Sequence, residues 1–433
     1  MPDSTSDRRQ FLAATGAALT TNLFAGNLKG ANDKVRAAFI GMGRMGNSNM
    51  NAAMKQPGLE VVAVCDVYQP HLERAAAAAR REGHSPKEIK DFREILADRT
   101  IDIVNVSTPD HWHPYMTVEA CKAGKDVYVE KPICVVYDEG VKMVQAARKY
   151  NRVVQVGTQQ RSGLHFAEAV DIVRSGELGD ITFVKTWNYS NASREGIGNP
   201  ADGTPPNGLD WESWLGPAPD RPFNANRFGV DPKAFSHFRW FWDYAGGMMT
   251  DWGIHLLDIV QWAFEEKMPE SITALGAKLW LKDNRETPDT LAVTYQYPGF
   301  LATYENRNGN AQSMFGEGYG ILFLGSKGTL FVNRGGYRVI REKTAPIQER
   351  QVANKNNHNL AHWANFLDCV RTRNRPVSDI EVGFRSTATC LLGNVALRSG
   401  LKLDWDEAGG TTKQPAARPL LTREYRAPWK LEV

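Results

Sequence analysis

Cysteine is scarce in this 433-residue chain: Cys65, Cys121, Cys134, Cys369 and Cys390 are scattered, form no C-x-x-C pair and mostly sit in apolar runs. That excludes a disulfide framework and a thiolate zinc site, and reads instead as buried thiols. Charge of one sign is equally scarce. The net charge is +3, and no lysine or arginine block interleaves with aromatics, which excludes a nucleic-acid surface. Low-complexity tracts and internal repeats are missing, and with 42% hydrophobic residues extended disorder is excluded too. What remains is a globular chain too long for one small core, so two domains are expected.

One stretch lacks charge altogether, Gln10 to Leu28. Thr15, Gly16, Thr20, Thr21 and Asn22 leave it too mildly apolar and barely long enough for a spanning helix. Arg8-Arg9 followed by "QFL" resembles a twin-arginine export leader. Residues 1–30 are therefore expected to address the protein to the Tat translocon and the periplasm or another exported site. No clean A-x-A cleavage site follows, so an uncleaved leader would tether it.

From Lys34 to Gly157 apolar runs alternate with helical patterns: "KVRAAFIG", "LEVVAVCD", "IDIVNVSTP", "KDVYVEKP" and "RVVQVGTQQ" read as strands with helices between them. That alternation predicts a doubly wound α/β domain over 34–157. Residues 158–433 change character. Strands such as "ITFVKTWNYS" and "LAVTYQYPGFLATYENR" alternate partially and the later ones have no helices between them, which predicts an α+β domain on a large, open, mostly antiparallel sheet. Two helices over 358–400 are expected to pack back on the body. A Gly-, Pro- and Trp-rich segment, Asn199 to Gly229, is long enough to be a functional loop or lid.

Gly41, Gly43 and Gly46 form G-x-G-x-x-G where the first strand passes into a helix, with Arg44 and Met45 inside the motif. Such a turn brings backbone amides against a pyrophosphate. Asp66 ends the second strand 20 residues past Gly46, where a carboxylate accepts both ribose hydroxyls and repels a 2′-phosphate, so NAD is expected in preference to NADP. Ligands of open α/β sheets lie beyond the carboxyl ends of the strands, which collects Ser107, Thr108, Pro109, His113, Glu130, Lys131 and Gln159 on the same rim.

In "GGMMTDWGIHLLD" helical spacing sets Asp251 and His255 at i and i+4. A neutral imidazole suits removal of a hydroxyl proton while hydride leaves the same carbon, and Asp251 could orient it; a packed, capped histidine is the competing reading. Trp112, Trp187, Trp240 and neighbouring tryptophans offer flat faces for a sugar ring, and Arg161 or Arg239 offers partners for its hydroxyls or a carboxylate. His111 and His113 read as pocket lining, and no metal is expected.

Taken in order, "GMGRMG", "CD", "STPDHWHP", "VEKP", "GTQQRS" and "GGMMTDWGIHLLD" resemble the glucose-fructose oxidoreductase/inositol dehydrogenase (Gfo/Idh/MocA) family from Lys34 to the end. The resemblance implies a catalytic set of Lys131, Asp251 and His255, a sugar or polyol substrate, and a homodimer or homotetramer; tightly held NAD is expected from the export leader. Two alternatives stay open: a redox-neutral glycosidase, as in an N-acetylgalactosaminidase branch that tends to depart from E-K-P, and a cofactor-binding protein without turnover. An exported enzyme meets no nicotinamide pool, so either a second substrate or the same sugar would have to return the cofactor to its starting state.

Overall fold

The structure is a computed structural model, and it describes residues 34–228 and 236–433. The expected leader lies outside the described residues. Among those described, no helix is long and apolar enough to cross a membrane.

Six parallel strands build the first sheet: β1 (Val35–Ile40), β2 (Leu59–Cys65), β3 (Lys87–Ile89), β4 (Ile103–Val106), β5 (Asp126–Val129) and β6 (Val154–Val156), in the order β3-β2-β1-β4-β5-β6. Every residue of β4 and β5 is buried, as it must be when helices cover both faces. On one face the helices His113–Lys122 and Tyr137–Lys149 bury Met116, Val118, Met143 and Ala146. On the other, Arg44–Met54 and Gln69–Arg81 are joined by a helix from the far end of the chain, His358–Thr372. Its Trp363 stacks flat on Tyr128 of β5, ring centroids 4.5 Å apart, so the first core is completed by residues more than 200 positions away. The short edge strand β3 is an addition to the strands expected from sequence; three largely exposed residues carry no apolar pattern to reveal it.

The second sheet has ten strands. β7 (Ile181–Tyr189), β8 (Ser271–Ala277), β9 (Thr290–Tyr297), β10 (Phe300–Arg307), β11 (Tyr319–Gly325), β12 (Gly328–Asn333), β13 (Gly336–Arg341), β14 (Arg350–Ala353), β15 (Leu403–Asp406) and β16 (Thr411–Thr412) lie in the order β14-β13-β12-β11-β7-β10-β9-β8-β15-β16. All neighbours are antiparallel except β7 with β10. In β9 and β10 buried residues alternate with less buried ones, the signature of a sheet packed on one face. The packed face carries the helices Leu164–Arg174, Gly253–Ala263 and Ile380–Ser399.

The Trp-rich segment docks where β2 ends: the Gln69 amide donates to Gly208 O, and the Asp210 amide to Val67 O. Trp211 stacks on Trp214 at 4.6 Å, and Trp214, Phe228, Phe241 and Tyr244 form one aromatic cluster with Tyr68. This cluster roofs the mouth of the first sheet.

Candidate active site

A cleft of about 560 Å³ runs along the carboxyl edge of the first sheet to the start of the Gly253–Ala263 helix. Its nucleotide end is made largely of backbone. Gly41 has φ +85°, and a Cβ there would stand 2.6 Å from the Thr108 amide nitrogen. A Cβ on Gly46 would lie 1.9 Å from Gly41 O, whereas one on Gly43 would meet nothing within 4 Å and would project into the cleft. The helix that follows has no side-chain cap and no acid in its first turn, so its free N–H groups are left for an anion. Thr108 Oγ1 is buried without a partner and belongs to a cleft residue. These features fit a dinucleotide diphosphate. Asp66 also lines the cleft, with Oδ2 accepting from the Met42 amide at 2.7 Å and Oδ1 from the Tyr68 amide at 2.8 Å. It thus ties the glycine turn to the end of β2; His71 Nδ1 stands 3.5 Å from Oδ2, and Oδ1 keeps a lone pair for a ribose hydroxyl.

Ser107, Thr108, Pro109, Glu130, Lys131 and Gln159 all reach this cleft, as do Arg44 and Met45. Asn49 Nδ2 donates to Ser107 Oγ at 3.0 Å and to Glu130 Oε1 at 2.8 Å; burial raises the Glu130 carboxyl. His113 is wedged between Pro132 O (2.7 Å) and Thr108 O (2.8 Å), joining two strand ends. Trp112 reaches the cleft too, on the wall of the first sheet beside Phe92 and Trp429, with its indole N–H donated to Trp214 O at 2.9 Å.

The reacting end is made of charge. Lys131 Nζ donates to Asp251 O at 2.9 Å and to Asp251 Oδ1 at 3.1 Å, and Arg239 Nε donates to the same oxygen at 2.9 Å. Burial would raise the Asp251 carboxyl, but Lys131 and Arg239 outweigh it and hold the group well below the usual carboxylate range. His255 is buried, and burial first, then Lys131 and Arg334, push its imidazole well below the ordinary histidine value. It is therefore a neutral ring at neutral pH.

Four expectations are corrected. Trp187 is fully buried on the second sheet, packs on Phe331 and donates its indole N–H to Glu317 O. Trp240 is buried in the aromatic cluster under the Arg285 guanidinium, 4.6 Å from its ring centroid. Arg161 is spent internally: Nε donates to both oxygens of Asp258 (2.9 and 3.0 Å) and Nη1 to Glu266 (2.9 Å), since a guanidinium with 3% of its side chain exposed must be paired. None of the three lines the cleft. Finally, Asp251 does not orient His255. One helix ends at Asp251 and another starts at Gly253; the His255 amide bonds to Trp252 O, three residues back, so the i, i+4 register is broken. The Asp251 carboxylate turns to Lys131 and Arg239, and His255 Nδ1 is buried without a hydrogen-bond partner.

Two cleft residues escape sequence reasoning. Asp110, inside "STPDHWHP", is buried enough to have its carboxyl raised to about 8, against the pull of Arg239 and Lys131. Arg334 comes from the turn between β12 and β13, where no motif marks it.

A doubly wound dinucleotide cleft closed by an open antiparallel sheet, with lysine, carboxylate and imidazole converging at the junction, defines the class of two-domain nicotinamide-dependent oxidoreductases. The chain belongs to the Gfo/Idh/MocA oxidoreductase family: the family model described as "Oxidoreductase family, NAD-binding Rossmann fold" matches residues 35–158, and that of its "C-terminal alpha/beta domain" matches 181–431. Among curated relatives, a glycosyl hydrolase family 109 protein of Shewanella sp. (strain W3-18-1) is 27% identical over 202 residues, 40% of this chain and 44% of the relative. An inositol 2-dehydrogenase of Salmonella typhimurium is 30% identical over 161 residues, 37% and 47%. The chain thus spans less than half the length of the curated relatives it matches. Among solved structures, the WlbA dehydrogenase of Bordetella pertussis, in complex with NADH and UDP-GlcNAcA, shares the fold at TM-score 0.64 and 20% identity, covering 86% of this chain and 99% of that one. Levoglucosan dehydrogenase, in complex with NADH and levoglucosan, shares it at 0.66 and 16%, with the same coverage. The first domain is an NAD-binding Rossmann domain.

Proposed function

We propose that the protein oxidises a sugar, sugar derivative or polyol at a carbinol carbon, with Lys131, Asp251 and His255 as its catalytic set. The observation that carries this reading is the Lys131 ammonium pinned by Asp251 at the reacting end of the cleft, with neutral His255 lining the same cleft. NAD, held by the Gly41–Gly46 turn, the helix behind it and Asp66, supplies a hydride acceptor when bound. His255 takes the hydroxyl proton, for which its uncharged ring is already in the right state. Lys131 spends two hydrogen bonds on Asp251 and points its charge at the oxygen that becomes a carbonyl, lowering the cost of negative charge there. Asp251 fixes that ammonium in place, and Arg239 holds the Asp251 carboxylate through the same oxygen. The test is a panel of sugars and polyols, myo-inositol and levoglucosan among them, offered to NAD-loaded protein. Formation of reduced nicotinamide with at least one supports the reading, and none with any overturns it.

A second reading is favoured by the glycosyl hydrolase family 109 relative: the same hydride chemistry run forward and back around glycosidic cleavage. It predicts release of free sugar from an aryl glycoside with no net reduced nicotinamide. Arg8-Arg9 and the uncharged run after them support export by the twin-arginine route with the cofactor already bound. Loss of the exported fraction on replacing both arginines by lysine tests it. Exposed Leu275 (82%), Leu279 (72%) and Phe315 (46%), all belonging to the second domain, support a homodimer or homotetramer. Leu275→Glu with Leu279→Glu should shift the sedimenting species to a monomer.

A further inference from the structure

Three cations gather at the reacting end. Lys131, Arg239 and Arg334 all line the cleft, and Asp251 alone takes two of them. Asp110, close by, adds no negative charge at neutral pH, because burial raises its carboxyl to about 8. Arg334 is the cation left without a carboxylate: it makes no ion pair among the described residues.

Arg334 is nonetheless fixed. Its Nε donates to Gln160 Oε1 at 2.9 Å, and the buried Gln160 donates in turn to His255 O at 2.7 Å. Its guanidinium lies over Trp252, 5.1 Å from the ring centroid, and the Trp252 ring is 6.1 Å from the His255 imidazole. One edge and one face of the guanidinium are therefore committed, while no hydrogen bond takes its two terminal amino groups among the described residues. A guanidinium held this way loses little further side-chain freedom on binding and presents the forked donor pair that matches a carboxylate. Gln160 ties it to the backbone of His255, and its charge is one of those that push the His255 imidazole below the ordinary value.

We propose that Arg334 is the specificity residue of this cleft and receives a carboxylate of the substrate, which is an acidic sugar of the uronate or aldonate class. This rests on the hydride-transfer reading above and narrows its substrate.

The experiment is equilibrium titration of NAD-loaded protein with D-glucuronate, D-galacturonate, D-gluconate and D-galactonate against D-glucose and D-galactose, with reduced nicotinamide followed in parallel. At least one acid should bind about tenfold or more tighter than its neutral parent. In Arg334→Gln that ratio should fall to about one, and Arg334→Lys, which keeps the charge but not the fork, should retain part of it. No acid preferred over its parent, or a preference that survives Arg334→Gln, overturns the inference. Reduced nicotinamide from neutral sugars alone keeps the hydride-transfer reading and sinks the acid specificity. An Arg334-dependent acid preference with no nicotinamide reduction supports the carboxylate site and overturns the reading beneath it.

Discussion

The two ends of the cleft are made by different means. The nucleotide end is backbone: a glycine turn, a helix start and strand ends drawn from one continuous stretch of chain. The reacting end is side chains, from the loop after β5 (Lys131), the segment before the Gly247–Asp251 helix (Arg239), the helix junction (Asp251, His255) and a distant hairpin turn (Arg334). Backbone sites need space, so they fail through added atoms. Side-chain sites need charge balance, so they fail through lost or moved charge.

The largest effects should separate these two failures. Gly46→Ala pushes a Cβ to 1.9 Å from a backbone oxygen that cannot move freely, and should cost about 1–3 kcal/mol or more of stability together with NAD binding. Gly43→Ala meets nothing within 4 Å; its melting temperature should stay within about 2 °C of wild type while NAD affinity drops about tenfold. Melting curves and NADH fluorescence titrations check both, and identical behaviour of the two variants would erase the distinction between packing glycine and cradle glycine.

At the reacting end, Arg334→Gln removes a positive neighbour that disfavours protonated His255. The histidine value should rise, moving the acid limb of kcat/KM to higher pH, while burial, the larger cause, still holds it below the ordinary value. An acid limb that stays put or moves lower would separate Arg334 from His255.

A further effect, read in stability against pH, concerns Asp110. Its folded value, about 8, lies above the ordinary carboxyl value of 3.8, so its contribution to stability is full below 3.8 and is lost as pH rises through about 8. Asp110→Asn, which cannot ionise, should therefore gain stability relative to wild type as pH climbs from 4 to 8, and level off above. Chemical denaturation of cofactor-free protein across that range checks the slope, and a constant gap would mean that Asp110 is ionised throughout.

The same division explains what the sequence discloses. The parallel sheet, the glycine turn, Asp66 and the strand-end residues are legible because local periodicity and strand order position them without help from the rest of the chain. The pairing of Asp251 with Lys131 is not legible, because helical spacing assumes one unbroken helix and this one changes register at Trp252. Arg161 and Trp187 are typical sugar-binding residue types, but burial against Asp258 and Phe331 decides their role, and no local pattern announces that. Arg334 stands 79 residues after His255 and reaches the cleft only through the topology of β12 and β13.

The central claim is that Lys131 acts on the reacting oxygen and does not merely hold the fold. The direct measurement is the rate of nicotinamide reduction on mixing NAD-loaded protein with the most reactive sugar of the panel, for wild type and Lys131→Met, with bound NAD quantified in each. The account predicts equal cofactor content and a rate lower by about 10²-fold or more in the variant. An equal rate in the two proteins would contradict it.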